Sequence, residues 1–233
     1  MSEFFRFPHT PHLAWLGAGS PRNDKVLTPA EAEELLAGEV VVEEKVDGAN
    51  IGFSTTESGE LRVQNRGSYL GRSPVHPQFR PLWSWLPARE EELANALWPN
   101  LMLFGEWCYA IHSVSYGRLP DWFLGFDIYD RETSTFWATA RRDALLASLQ
   151  LHPVPHLARG HFSTPDLSRI LAGPSRLGGD MMEGVVVRQE AGSCTTARAK
   201  LVRAEFAQAI EEHWSRGVLR RNRLAEESVL LRA

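Results

Sequence analysis

Across its 233 residues the chain has only two cysteines, no excess of positive charge and no long apolar run. Cys108 and Cys194 lie far apart, and neither needs a disulfide; Cys108 sits in a hydrophobic strand pattern and reads as a small packing residue. With 25 Lys and Arg against 29 Asp and Glu, the formal charge is −4. That excludes bulk electrostatic coating of nucleic acid and leaves local arginine patches in a groove as the way such a ligand would be held. No segment approaches the roughly 18–20 apolar residues that span a membrane. Met1 to Pro8 has an early acid, a proline and no apolar run of signal-peptide length, so the expected location is the cytoplasm. What is present, 43% hydrophobic and 10% aromatic residues without repeats or low-complexity tracts, suits one globular domain with a sizeable core.

Periodicity and punctuation order that domain. Thr28-Pro29-Ala30-Glu31 reads as a capped helix start, with Glu31 closing a capping box and the helix ending near Gly38. Strand patterns follow at Val40–Lys45, Ala49–Thr55 and Leu61–Gln64, the last two joined by a Glu57-Ser58-Gly59-Glu60 hairpin. Pro74, Pro77, Pro81 and Pro87 punctuate an irregular stretch, and Ala88–Trp98 is helical until Pro99. Leu101–Trp107 and Trp122–Tyr129 are short apolar strands, each carrying one acid. Arg141–Leu151 and a segment opening at Thr164-Pro165-Asp166 read as helices, and Gly184–Arg188 and Ala197–Val202 as the last strands. Phe206, Ile210 and Trp214 share one helical face, so residues 203–233 are expected to be a C-terminal helical extension of a single domain spanning 1–233.

Lys45 carries the strongest chemical signal. It ends an apolar strand and is followed by Asp47-Gly48, a turn that leaves the amine at the strand's mouth. A lysine so placed attacks only as the free amine, which demands desolvation or a nearby cation to lower its pKa.

In order along the chain, Lys45-Val46-Asp47-Gly48, Gln64-Asn65-Arg66-Gly67, Phe104-Gly105-Glu106, Phe123 to Asp127, Glu183 to Arg188 and Arg198-Ala199-Lys200 resemble the motifs of the covalent nucleotidyltransferases. That superfamily comprises polynucleotide ligases and messenger-RNA capping enzymes. The resemblance implies an α+β nucleotidyltransferase (ATP-grasp-like ligase) fold, antiparallel sheets flanked by helices. Too little chain follows Lys200 for the OB domain of capping enzymes and DNA ligases, so the likeness is to an ATP-dependent RNA ligase of the RNA-ligase-2 type, reduced to its nucleotidyltransferase domain. The opening Phe7-Pro8-His9-Thr10-Pro11-His12-Leu13 resembles a bacterial subset of these ligases.

The resemblance implies Lys45 as nucleophile toward ATP, with Lys200 neutralising the α-phosphate. Glu183 and Glu106 would hold hydrated Mg²⁺ or Mn²⁺ through hard carboxylate oxygens. Phe126 would stack on adenine, Arg66 and Glu106 would reach ribose, and Glu44, Asp47 and Arg198 complete the nucleotide-binding set. As residue types alone, Phe126 could equally be core, Lys200 a solvated strand lysine and Arg66 the partner of a nearby acid. Arg198 stands where many such ligases have lysine, which keeps charge but changes geometry. The expected substrate is RNA with 5′-phosphate and 3′-hydroxyl ends, nicked duplex included. It would be gripped by Arg62, Arg72 and Arg80 or by Arg216, Arg220, Arg221 and Arg223, with a protein partner as a further source of the missing second domain. A DNA ligase, a guanylyltransferase or a self-adenylating end-binding subunit are the alternatives.

Overall fold

The computed structural model describes residues 4–18, 25–73, 75–179, 181–208 and 219–226. Helix α1 (Pro29–Leu36) begins as its sequence demands: Thr28 Oγ1 accepts from the Glu31 amide at 3.2 Å while Glu31 Oε2 accepts from Thr28 N–H at 2.8 Å. Strands β1 (Val40–Lys45), β2 (Ala49–Thr55) and β3 (Leu61–Gln64) follow. Next come the short α2 (Leu82–Trp85) inside the proline-punctuated stretch, α3 (Glu90–Leu97), β4 (Leu101–Trp107), β5 (Phe123–Asp130) and β6 (Thr135–Trp137). The remainder is α4 (Thr139–Ser148), β7 (His152–Pro153), β8 (His156–Gly160), α5 (Thr164–Leu171), β9 (Gly184–Ala191), β10 (Cys194–Val202) and α6 (Ala204–Gln208).

Nine of these strands run in the order β3-β2-β4-β5-β6-β10-β9-β1-β8, every ladder antiparallel, with the two-residue β7 added in parallel to β5. β1 and β2 are consecutive in the chain yet lie in opposite halves of this sheet. The Lys45–Gly48 turn is the crossover between them, which places Lys45 where the halves face each other. Each half has its own core. Ile51, Phe53, Leu103, Trp107 and Phe123 pack under α2 and α3, whereas Val40, Val42, Val185, Val187 and Leu201 pack under α1 and α5. Burying apolar area at roughly 25 cal/mol per Å² is what joins helices to sheet in both halves.

The helix expected over Phe206, Ile210 and Trp214 is described only as α6; Ile210, Trp214, Val229 and Leu230 lie outside the described residues. Residues 219–224, expected inside a helical extension, instead run extended over the β4–β5 loop. Among the described residues no helix is long and apolar enough to cross a membrane.

Candidate active site

A cavity of about 350 Å³ opens between the halves, within the size range of small-molecule sites. Its walls include Glu44 and Lys45 from β1, Asn50 from β2, Glu106 from β4, Phe126 from β5, Arg198 and Lys200 from β10, and Asp47 and Arg66 from adjoining turns. Eight of the nine residues singled out from sequence therefore meet in one place. The ninth, Glu183, precedes β9 and accepts from Lys45 Nζ at 2.5 Å, because the β1–β9 ladder sets Lys45 opposite Gly184.

The turn after Lys45 is held from outside. Asp47 Oδ2 accepts from the Ser113 and Val114 amides at 2.6 and 2.9 Å, and the Asp47 N–H donates to Tyr116 Oη at 2.7 Å. Gly48 has no room for a side chain: a Cβ there would sit 2.7 Å from the Trp107 carbonyl oxygen and 3.0 Å from Glu106 Cγ. Arg66 is presented by an Asx turn in which Asn65 Oδ1 accepts from the Gly67 and Ser68 amides, both at 2.8 Å.

The acids of the site crowd one another. Burial pushes the Glu106 carboxyl up to about 8, opposed by Lys45 and reinforced by Asp47 and Glu183. Burial likewise raises Glu183. For Lys45, burial acts to lower the ammonium pKa, but Glu183 and Asp47 outweigh it and the net shift is upward. In this state the amine is held as the ammonium half of an ion pair, one that cannot attack. Among the described residues no three His, Cys, Asp or Glu side chains converge as a ready-made metal cage. Two carboxyl groups raised by burial and mutual repulsion nevertheless have the hard oxygen chemistry that suits a cation keeping several of its own waters.

Three predicted residues are committed to the protein itself. Glu44 lines the cavity while its carboxylate accepts from Ser175 Oγ at 2.5 Å and the Arg176 amide at 2.9 Å. Arg198 bonds Asp127 Oδ2 at 2.7 Å, with its guanidinium carbon 4.7 Å from the Phe7 ring centroid and 4.1 Å from that of Phe136. Phe126 meets the Phe7 ring edge-on at 5.2 Å, so the N-terminal segment backs the candidate base shelf. His9 lines the cavity, whereas His12 is buried beside Lys200, whose amide donates to Pro11 and whose carbonyl accepts from Leu13.

Sequence reasoning missed the floor of the site. Glu43, nowhere exposed, accepts from Arg142 Nη2 at 2.5 Å and Arg188 Nε at 2.6 Å, and Arg188 also bonds Asp127 Oδ1 at 2.6 Å. With Arg198 this makes a buried chain of three arginines and two acids. It also missed Asn50, whose Oδ1 is buried with no hydrogen-bond partner, an orphan acceptor of the sort ligands satisfy.

The sequence model of the family described as RNA ligase matches residues 38–202, more than two thirds of the chain. Similar solved structures come from the Naegleria gruberi RNA ligase. One mutant with ATP and Mn has a TM-score of 0.60 at 19% identity, covering 87% of this chain and 57% of that one. The same enzyme with PPi has a TM-score of 0.56 at 23% identity, covering 77% and 53%. A mutant with AMP and Mn has a TM-score of 0.57 at 19% identity, covering 88% and 64%. The chain thus spans between half and two thirds of the length of these structures, and the likeness is one of fold. No curated protein matches the sequence.

Proposed function

The chain belongs to the RNA ligase family, and we propose that it is an ATP-dependent RNA ligase joining a 5′-phosphate to a 3′-hydroxyl through a lysyl-AMP intermediate on Lys45. The observation that carries this reading is the convergence of Lys45, Glu106, Glu183, Arg66 and Lys200 on one nucleotide-sized cavity. The Naegleria gruberi structures with ATP and Mn, AMP and Mn, and PPi offer precedent for those ligands on this fold.

In the first step Lys45 Nζ, having lost a proton, forms a bond to the α-phosphorus of ATP while the bond to the bridging oxygen breaks and pyrophosphate leaves. Lys200 neutralises charge on the α-phosphate. Phe126 supplies a flat apolar face for adenine, and Arg66 and Glu106 reach the ribose. The Asn50 amide is placed to meet a polar group of the same nucleotide. Glu183 and Glu106 would hold Mg²⁺ or Mn²⁺; bound there, the cation supplies Lewis-acid charge and depresses the pKa of the neighbouring amine. Next, an RNA 5′-phosphate oxygen takes the AMP, releasing the lysine amine, and finally the 3′-hydroxyl attacks that phosphate with loss of AMP.

RNA would be gripped by a groove along the exposed side of β3. There the Arg62 guanidinium carbon lies 5.3 Å from the Tyr69 ring centroid and that of Arg72 lies 5.1 Å from Trp83, an aromatic-and-arginine surface suited to a polyanion with stackable bases. Arg80, or Arg220, Arg221 and Arg223 in the C-terminal segment, would supply further charge to such a ligand; Arg216 lies outside the described residues.

The test is sealing of a nicked duplex with a 3′-terminal ribonucleotide and a 5′-phosphate, alongside single-stranded RNA and an all-DNA nick. The expected result is ATP-dependent, divalent-cation-dependent joining that fails with GTP. Preference for the all-DNA nick or for GTP would replace the RNA ligase reading with one of its superfamily relatives. Self-labelling without sealing would assign the later steps to a partner subunit.

A further inference from the structure

Residues 220–225 lie across the loop that carries the chain out of β4, residues 108–119, and are bonded to it along their length. Ile111 N–H donates to Arg220, Asn222 N–H to Tyr109, Arg223 N–H to Tyr116, Leu119 N–H to Arg223 and Ala225 N–H to Leu119, all between 2.8 and 3.0 Å. At the centre is Asn222, 1% exposed. Its Oδ1 accepts from Tyr116 N–H at 2.7 Å, and its Nδ2 donates to the Cys108 carbonyl at 2.8 Å and to that of Ala110 at 3.4 Å. One side chain therefore ties the first residue of the loop to a residue eight positions later. Leu224 adds apolar contact with the cluster of Val46, Cys108, Val114, Tyr116 and Leu119.

The far side of the same loop grips the turn that follows Lys45. Ser113 and Val114 donate to the Asp47 carboxylate, and Tyr116 Oη accepts from Asp47 N–H. Tyr116 is shared: Asn222 holds its amide and Asp47 its hydroxyl. Loop 108–119 has no strand or helix of its own to fix its shape. Its buried carbonyls and amide need partners, and the C-terminal segment provides them. We infer that residues 220–225 are an intramolecular clamp, with Asn222 as a positioning residue, that holds loop 108–119 against the Lys45–Gly48 turn and so fixes the nucleophile for attack. The inference rests on Lys45 being the adenylated residue.

A merely structural role would lower stability and leave the rate of the folded protein alone; a positioning role changes the rate at saturating ATP, because small displacements of a reacting group are costly. The test uses the full chain with Asn222→Ala, Tyr116→Phe and both together, and with Leu219→Ala as control. Single-turnover transfer of label from α-phosphate-labelled ATP and amide hydrogen exchange are measured on each. Asn222→Ala is expected to slow labelling about tenfold or more at saturating ATP, with half-saturation little changed. Tyr116→Phe is expected to act in the same direction, and the double variant to be no slower than Asn222→Ala beyond about twofold, since coupled residues are not additive. Amides of Asp47, Ser113 and Val114 should exchange faster in Asn222→Ala while β9 and β10 stay protected, and Leu219→Ala should match the parent.

A folded Asn222→Ala protein with parental labelling and exchange overturns the clamp, as do losses that multiply in the double variant. Should Asn222→Ala not fold, Tyr116→Phe, lacking one hydroxyl, decides: a parental rate overturns the inference. If the parent itself takes no label, the ligase reading fails separately, and the exchange of Asp47, Ser113 and Val114 still tests whether the segment holds the turn.

Discussion

Lys45 Nζ donates to Glu183 Oε2 at 2.5 Å, so the proposed nucleophile is also the cationic half of an ion pair at the cavity. On the lysyl-AMP reading, the pairing keeps the amine unreactive toward ATP until something competes for Glu183. Glu183 would hold a divalent cation through its carboxylate, and the cation's charge would favour the free amine of Lys45. On that reading the same acid guards the lysine at rest and serves it in turnover.

Glu183→Gln should therefore split two kinds of reactivity. Without its leading partner the Lys45 ammonium pKa falls, so acylation by a small amine-directed reagent should speed up at pH 7. Enzymatic adenylation should drop about 10–100-fold through the lost cation ligand. Peptide mapping resolves this readily because Lys25, Lys45 and Lys200 are the only lysines in the chain.

Glu106→Gln should stabilise the cation-free protein while impairing adenylation. Burial pushes the Glu106 carboxyl up to about 8 from an ordinary 4.5. The folded protein therefore keeps a proton that the unfolded chain releases, and stability falls as pH rises through that window. Glutamine removes this penalty. Thermal unfolding should show a gain of about 1–2 kcal/mol at pH 8 that vanishes toward pH 5.

Asp127→Ala should be among the most destabilising single changes near the site. Asp127 joins Arg188 at 2.6 Å to Arg198 at 2.7 Å in a region almost closed to solvent. Removing it leaves two guanidinium groups short of a counter-charge, and breaking a buried pair in this way costs about 3–5 kcal/mol. Urea unfolding measures the loss directly.

Gly48→Ala should damage both fold and chemistry. The new methyl would meet the Trp107 carbonyl at 2.7 Å, a backbone atom with little freedom to yield, and would press on Glu106. A stability loss of about 1–3 kcal/mol is expected from such overpacking, together with slower adenylation at unchanged ATP half-saturation, readable in a single-turnover assay.

Much of the fold was legible because local signals agreed with one another. The bounds of β1, β2 and β3 coincide with apolar runs cut by Asp47-Gly48 and Ser58-Gly59, and both ends of the α1 capping box are visible as Thr28 and Glu31. β7 and β8 were not: two and five residues long, with no buried position in either, they lack the alternation that betrays a strand and exist through pairing with β5 and β1. Residues 219–224 were expected within the helical extension because nothing local reveals that loop 108–119 offers its backbone as partner. The candidate site followed the same division. Lys45 and Glu106 stood out as charges in apolar strands and Glu183 as an acid just before one, whereas Arg142, on α4, and Glu43, one residue before Glu44, gain meaning only when tertiary folding brings them together. One available signal went unused: of 25 basic Lys and Arg residues three are lysine, and two of those three line the cavity.

The most direct measurement is the fate of the α-phosphate. Incubated with α-phosphate-labelled ATP and Mg²⁺ or Mn²⁺, the protein should become covalently labelled. The label should be acid-labile as a phosphoramidate, map to the peptide containing Lys45, be absent in Lys45→Ala and be discharged by added pyrophosphate. Absence of label with either cation, or equal label on the Lys45→Ala protein, would contradict the assignment of Lys45 as the nucleophile.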